Sequence, residues 1–371
     1  MPDKAVREQV LPRVRRVVVK VGTNAISGDD GRPDRRAIAN LARQIAAVRA
    51  GGVSVVLVAS GAIGTGLGEL GLRERPRDMP RLQAAAAVGQ GQLMRIFHDV
   101  FARRGVQVAQ VLLTRDDLED RTRYLNFRNT LRALEEFGAL PILNENDTVA
   151  VDDIRFGEND ILAALVTSTI GAQVLVLLSN VDGVLADGAV LDVVEHVDDR
   201  VRALDHGARS PLGSGGMASK LQAARLVAKA GEVTVVANAR TPRILPRLLA
   251  GERLGTLFVP ERRRLSSRRR WIGQASRPTG RIVVDAGAAR ALTQGGRSLL
   301  PSGITAVDGS FGKGATVAVY GPSGEEIARG LVNYSAEQID RIKGLRSSQI
   351  AKALGDRPYD EVIHRNNLML R

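Results

Sequence analysis

Lysine is scarce in this chain, and one copy sits where a charge is least expected. Only seven lysines (Lys4, Lys20, Lys220, Lys229, Lys313, Lys343 and Lys352) stand among 53 Lys+Arg in 371 residues, so arginine is the default cation. Lys20 interrupts Val17-Val18-Val19-Lys20-Val21, a β-branched run that reads as a strand covered on both faces. An ammonium buried without a partner is costly. Lys20 therefore reads as lying near the strand's carboxyl end and facing anions, the place where open α/β sheets bind ligands. The alternative is a surface-edge lysine that snorkels to water. A compact point charge suits phosphate, and Gly22 and Gly28 leave the backbone free to bend close to a ligand.

Four more clusters carry chemistry-bearing residues. Ala59-Ser60-Gly61-Ala62-Ile63-Gly64-Thr65-Gly66 follows an apolar run and opens a helix, a turn that aims backbone N–H groups at an anion or serves packing alone. Ser60 lacks the glycine two residues earlier that a nucleophile elbow needs. Asn144-Glu145-Asn146-Asp147 ends the short strand 140–143, and Gly157-Glu158-Asn159-Asp160 opens the next helix, where Asp160 could also act as a simple cap. Gly213-Ser214-Gly215-Gly216-Met217-Ala218-Ser219-Lys220 lacks the Walker A spacing but has the same chemistry: a glycine-rich turn, a helix start, a hydroxyl and a lysine one turn inside.

Composition narrows the chemistry. The chain has no cysteine, which removes disulfides, thiolate zinc sites and thiol nucleophiles, and its four histidines (His98, His196, His206, His364) have no ligand-like spacing. Lysine, carboxylate, amide, hydroxyl and glycine-rich backbone remain. The net charge of +13 invites a nucleic-acid reading, but general basicity speaks to solubility and non-specific binding. No apolar run approaches the roughly 20 residues that span a bilayer. Asp3, Lys4, Arg7 and Glu8 stand where a signal peptide needs apolar residues, so no membrane and a cytoplasmic setting are expected.

The elements that must position these residues alternate. Asp34 is a candidate N-cap for a helix through Arg49, with Ile38, Leu41, Ile45 and Val48 at helical spacing. Strands are expected at 53–58, 106–112, 140–143, 174–178 and 233–237, the last closing the sheet, with an excursion at 190–197. Helices are expected at 79–104 and 122–137, with another that the 213–220 segment opens and that runs to Ala230. This order predicts an α/β fold, a three-layer αβα sandwich with a largely parallel sheet. The arginine-rich run Glu261–Arg270 reads as a solvated linker. Beyond it, short strands at 281–284, 305–307, 315–320 and 327–332 predict a small barrel-like second domain.

Those motifs, taken in order, resemble the amino-acid kinase family: V-V-V-K-V-G-T at 17–23, A-S-G-A-I at 59–63, L-L-T-R-D-D-L at 112–118, N-E-N-D at 144–147, G-E-N-D at 157–160 and G-S-G-G-M-A-S-K-L-Q-A-A at 213–224. Together they are most similar to its branch that phosphorylates free glutamate at the start of proline biosynthesis. The tail from Gly280 through Ile304 resembles a PUA domain. The resemblance implies a kinase domain over 14–262, a basic linker over 263–276 and a PUA domain over 277–361.

It also implies ATP-dependent phosphorylation of the γ-carboxylate of L-glutamate, with Mg²⁺ held mainly by the ATP phosphates and no protein metal site. Lys20, Lys220 and Asp160 would be catalytic, the lysines on the phosphates and Asp160 orienting them. Ser60, Asp147, Asn159 and Asn144 would hold glutamate. Lys20, Ser179, Asn180 and the loop Ser214, Gly215, Gly216, Met217, Ala218, Ser219 and Lys220 would hold the nucleotide. Ser179-Asn180 departs from the family's usual Thr-Asp, which leaves the base contacts open. Proline as feedback inhibitor, a homo-oligomer and hand-off to glutamyl-phosphate reductase are further implied partners. A different carboxylate or carbamate acceptor, or an RNA-binding PUA protein, are the alternative readings, with RNA not expected as the main function.

Overall fold

The structure, a computed structural model, describes residues 3–28, 31–72, 74–150, 158–204, 216–260, 272, 276–355 and 359–371. Contacts divide the chain into two compact units, residues 1–117 with 122–264, and residues 118–121 with 265–371.

The first unit is built on strands β1 (Arg16–Val21), β2 (Ser54–Ala59), β3 (Val108–Leu113), β4 (Leu140–Glu145), β5 (Val174–Ser179), β8 (Val193–Val194), β9 (Val233–Asn238) and β10 (Thr256–Phe258), in the order β3-β4-β2-β1-β5-β9-β10-β8. The six from β3 to β9 are mutually parallel, and β10 runs antiparallel to β9. The chain winds from β1 outward to β2, then returns across β1 to β5, so β1 lies at the point where the winding reverses. Carboxyl ends at such a point face a crevice.

The period of two along β1 decides which residues face which layer. Val17, Val19 and Val21 pack into a core with Ile38, Ile45, Leu93, Phe97 and Phe101 from the helices Arg35–Ala50 and Met79–Ala102. Lys20 takes the opposite face, covered by the helices Glu158–Ile170 and Met217–Ala230. The helix starting at Arg35 is capped as its sequence predicts, by Asp34 accepting from the Arg36 N–H.

The sheet does not close at β9. Strand β10 is only three residues long, too short to announce itself by alternation, yet it is fully buried and adds an edge that β8 extends. The expected excursion begins earlier than its sequence suggested: β6 (Leu185–Ala186) and β7 (Ala189–Val190) form a hairpin whose turn residues Asp187 and Gly188 both have positive φ.

The second unit is a five-stranded sheet of β11 (Gly280–Val284), β12 (Ile304–Asp308), β13 (Thr316–Tyr320), β14 (Glu326–Leu331) and β15 (Leu368–Leu370), in the order β12-β11-β13-β14-β15. It has its own core around Ile282, Val317, Val319, Ile339 and Ile363. Among the described residues, no helix is long and apolar enough to cross a membrane.

Candidate functional site

Lys20 is one residue from the end of β1 and only 5% exposed. What pays its desolvation is Asp160, in the first turn of the helix Glu158–Ile170, with Oδ1 2.6 Å from Lys20 Nζ. Lys220, in the first turn of the helix Met217–Ala230, brings its Nζ to 3.3 Å from the other carboxylate oxygen. The Ser219 hydroxyl donates to that same oxygen at 2.7 Å. Three chain segments far apart in sequence thus meet on one carboxylate, which is completely buried.

Burial alone would raise the Asp160 pKa, but Lys20 and Lys220 beside it, with the Lys20 and Ser219 hydrogen bonds, bring it down to about 2. Burial lowers the Lys220 pKa, Asp160 opposes that, and Lys20 adds to it as a like charge. Two ammonium groups against one carboxylate leave the cluster net positive, in a site where water screens little. Such a cluster attracts anions.

Gly22 lies beside the ammonium: its φ of −77° is open to any residue, and a Cβ there would make ordinary contact with Lys20 Nζ at 3.7 Å. The backbone freedom expected at this turn belongs instead to Gly61, whose φ of +115° heads the helix Ala62–Glu69. Its neighbour Ser60 is tied to β1 through its N–H, which donates to Val21 O at 3.3 Å.

Asn159 precedes Asp160 and joins a second, neutral cluster. Its Nδ2 lies 3.0 Å from Ser60 Oγ and 2.9 Å from Asn144 Oδ1. Asn144 is the fifth residue of β4, one position beyond the expected end of that strand, and its Nδ2 donates to Gln90 Oε1 at 2.9 Å. Asp147 follows β4 and is half-buried; burial pushes its carboxyl up to about 6, with the charge of Arg75 opposing. One dipeptide therefore joins the cationic cluster through Asp160 and the amide–hydroxyl cluster through Asn159. Among the described residues, sequence reasoning missed Gln90 and Arg75 here. The signal for Gln90 was the glycine pair around it, Gly89-Gln90-Gly91, inside an otherwise regular helix.

Ser179 ends β5 and its hydroxyl donates to Asn180 Oδ1 at 3.3 Å. Gly216 caps the helix that Met217 begins, with Met217 half-buried and Ala218 exposed, while Ser214, Gly215 and Gly157 lie outside the described residues. Beyond Ser179, Asp182 and Asn238 are hydrogen-bonded at 2.9 Å and border an open cleft of about 390 Å³ with Thr241, Ile244 and Leu254.

No group of three or more His, Cys, Asp or Glu suited to a metal ion occurs among the described residues. Both oxygens of Asp160 are already engaged by ammonium groups.

Residues 15–238 match the amino acid kinase family and residues 280–354 match the PUA domain. A protein from Moorella thermoacetica named glutamate 5-kinase is 46% identical over 97% of this chain and 97% of its own length. One of the same name from Citrifermentans bemidjiense is 46% identical over 98% of this chain and 100% of its own. Among solved structures, carbamate kinase from Giardia lamblia bound to AMP-PNP shares the fold at 16% identity with a TM-score of 0.50, covering 67% of this chain and all of that one. The chain belongs to the amino acid kinase family, with a PUA domain on the C-terminal side of its kinase region.

Proposed function

We propose that this chain is an enzyme that transfers the γ-phosphoryl group of ATP to the γ-carboxylate of L-glutamate, giving L-glutamyl 5-phosphate and ADP, the first step of proline biosynthesis. The observation that carries this reading is the convergence of Lys20 and Lys220 on buried Asp160, one residue from Asn159 and its partners Ser60 and Asn144. Near-full-length relatives named glutamate 5-kinase support the choice of acceptor.

The chemistry asks for positioning and charge, and these residues offer both. A side-chain carboxylate has an ordinary pKa near 4.3, so the acceptor is already a nucleophile at neutral pH and needs no general base. A carboxylate oxygen forms a bond to the γ-phosphorus while the bond from that phosphorus to the β,γ-bridging oxygen breaks, its electron pair leaving on ADP. Lys20 and Lys220 stabilise the charge on the transferring group and the departing phosphate, which is the principal work in phosphoryl transfer. Asp160 touches neither reactant in this account. It is the positioning residue that holds both ammonium groups at one place.

Ser60, Asn144 and Asn159 bind the glutamate through amide and hydroxyl groups, and Asp147 pairs its α-ammonium. Ser179, Asn180 and Ser214 through Ser219 contact the nucleotide. Mg²⁺ enters as MgATP and is treated as part of that substrate. The cytoplasm as setting, feedback inhibition by proline, self-association and hand-off of the labile acyl phosphate to a reductase belong to the same proposal and rest on the family resemblance. The proposed limits are 14–262 for the kinase domain, 263–276 for the linker and 277–361 for the PUA domain. The test is L-glutamate-dependent ADP release with capture of the acyl phosphate.

A further inference from the structure

One backbone donor fixes which way the site's amides face. The Glu145 N–H lies 2.9 Å from Asn144 Oδ1 and 3.3 Å from Asn159 Oδ1, and a backbone N–H can only donate. Both amide oxygens are therefore turned toward it. Asn144 Nδ2 must then face Gln90, whose Oε1 accepts at 2.9 Å. The two protons of Asn159 Nδ2 serve Asn144 Oδ1 at 2.9 Å and Ser60 Oγ at 3.0 Å. Turning any one of these amides over would set donor against donor.

The consequence appears at Ser60. Its oxygen is an acceptor toward the network, and among the described residues nothing takes its hydroxyl proton. A serine hydroxyl has one proton to give, and the Asn159 contact leaves that proton free to be donated to an acceptor oxygen.

We infer that Gln90 is a positioning residue for the acceptor pocket: the Glu145 N–H sets the sense of the Asn144–Asn159–Ser60 chain, and Gln90, by accepting from Asn144 Nδ2, holds the Asn144 amide in that orientation so that Ser60 donates to the bound carboxylate. This rests on the proposed function, which makes the cluster the glutamate site. Gln90 reaches Asn144 because its neighbour Gly89 lets the helix Met79–Ala102 lie directly on the helix Ala62–Glu69; a Cβ at Gly89 would come within 1.9 Å of Ala62 O.

Through-space electrostatics and the hydrogen-bond relay order the variants oppositely, which makes the inference testable by steady-state kinetics on the full chain. Gln90→Met keeps the length but leaves Asn144 Nδ2 without an acceptor. It should raise the L-glutamate KM about tenfold, the scale of one lost hydrogen bond to a charged group, with the ATP KM unchanged. Gln90→Glu retains an acceptor and should recover most of that loss, although its negative charge by itself would repel an anionic substrate. Gln90→Lys puts a donor where the acceptor stood and should bind glutamate worse than Gln90→Glu despite its attractive charge; this pair decides the matter if Gln90→Met fails to fold.

An unchanged glutamate KM in Gln90→Met, equal rises in both KM values, or Gln90→Glu ranking below Gln90→Met or Gln90→Lys overturns the inference. Those outcomes leave the proposed function standing. A wild-type control without glutamate turnover overturns the proposed function and this inference with it.

Discussion

Burial pushes the Asp147 carboxyl up to about 6, with only the charge of Arg75 against it; burial acts on Asp160 in the same sense, but Lys20 and Lys220 hold that group down at about 2. The two carboxylates therefore answer pH differently. Above pH 6 Asp147 is ionised and can pair an α-ammonium; as pH falls through about 6 it takes up a proton and the attraction is lost. The glutamate KM should be flat from pH 8 to 7 and then rise toward about tenfold per pH unit, as for a single essential ionisation. The ATP KM should not share the rise, because Asp160 stays ionised throughout. Asp147→Asn should start with a raised glutamate KM and lose the pH dependence. A glutamate KM that is flat down to pH 5, or that rises equally in the variant, would remove Asp147 from the substrate site. At this scale much was legible in the sequence. A lysine inside a valine run needs a partner or water, and the family resemblance implied that Asp160 in G-E-N-D orients it. Which carboxyl burial shifts upward was not legible, because that depends on every neighbouring segment.

Glycine decides how closely two helices of the site approach. Cβ atoms at Gly66 and Gly89 would meet Ala85 O at 1.8 Å and Ala62 O at 1.9 Å, backbone atoms that cannot step aside. Gly91, two residues on in the same helix, has nothing within 4 Å of its Cβ position. Gly89→Ala should therefore destabilise by about 2 kcal/mol, overpacking of up to about 3 offset by about 1 of gained helix propensity. Gly91→Ala should stabilise by up to about 1 kcal/mol. Chemical denaturation of both variants checks this, and equal effects would mean that the crossing is looser than these distances imply. The helix Arg35–Ala50 and the central strands were readable from cap, spacing and β-branched runs. The Gly89 contact, the three-residue β10 and the late β15 were not, since each is defined by a partner remote in sequence and none carries a periodicity of its own.

At the scale of the whole chain, every residue assigned to phosphoryl transfer lies in the first unit, and the second has a separate core. A protein ending at Arg264 is expected to stay folded and to keep glutamate-dependent turnover. A folded, inactive truncation would mean that residues beyond 264 complete the active site. The arginine-rich run and the change to short strands beyond it made this two-part organisation visible in the sequence, whereas the order of strands about β1, which places the crevice, emerges only from their pairing. The central claim is the acceptor: the γ-carboxylate of free L-glutamate. Its most direct test is to incubate the full chain with MgATP, L-glutamate and hydroxylamine and to measure γ-glutamyl hydroxamate against ADP. Hydroxamate and ADP should form in equal amounts with L-glutamate, with little of either from aspartate or N-acetylglutamate. ADP without hydroxamate, or N-acetylglutamate turned over as well as glutamate, would contradict it.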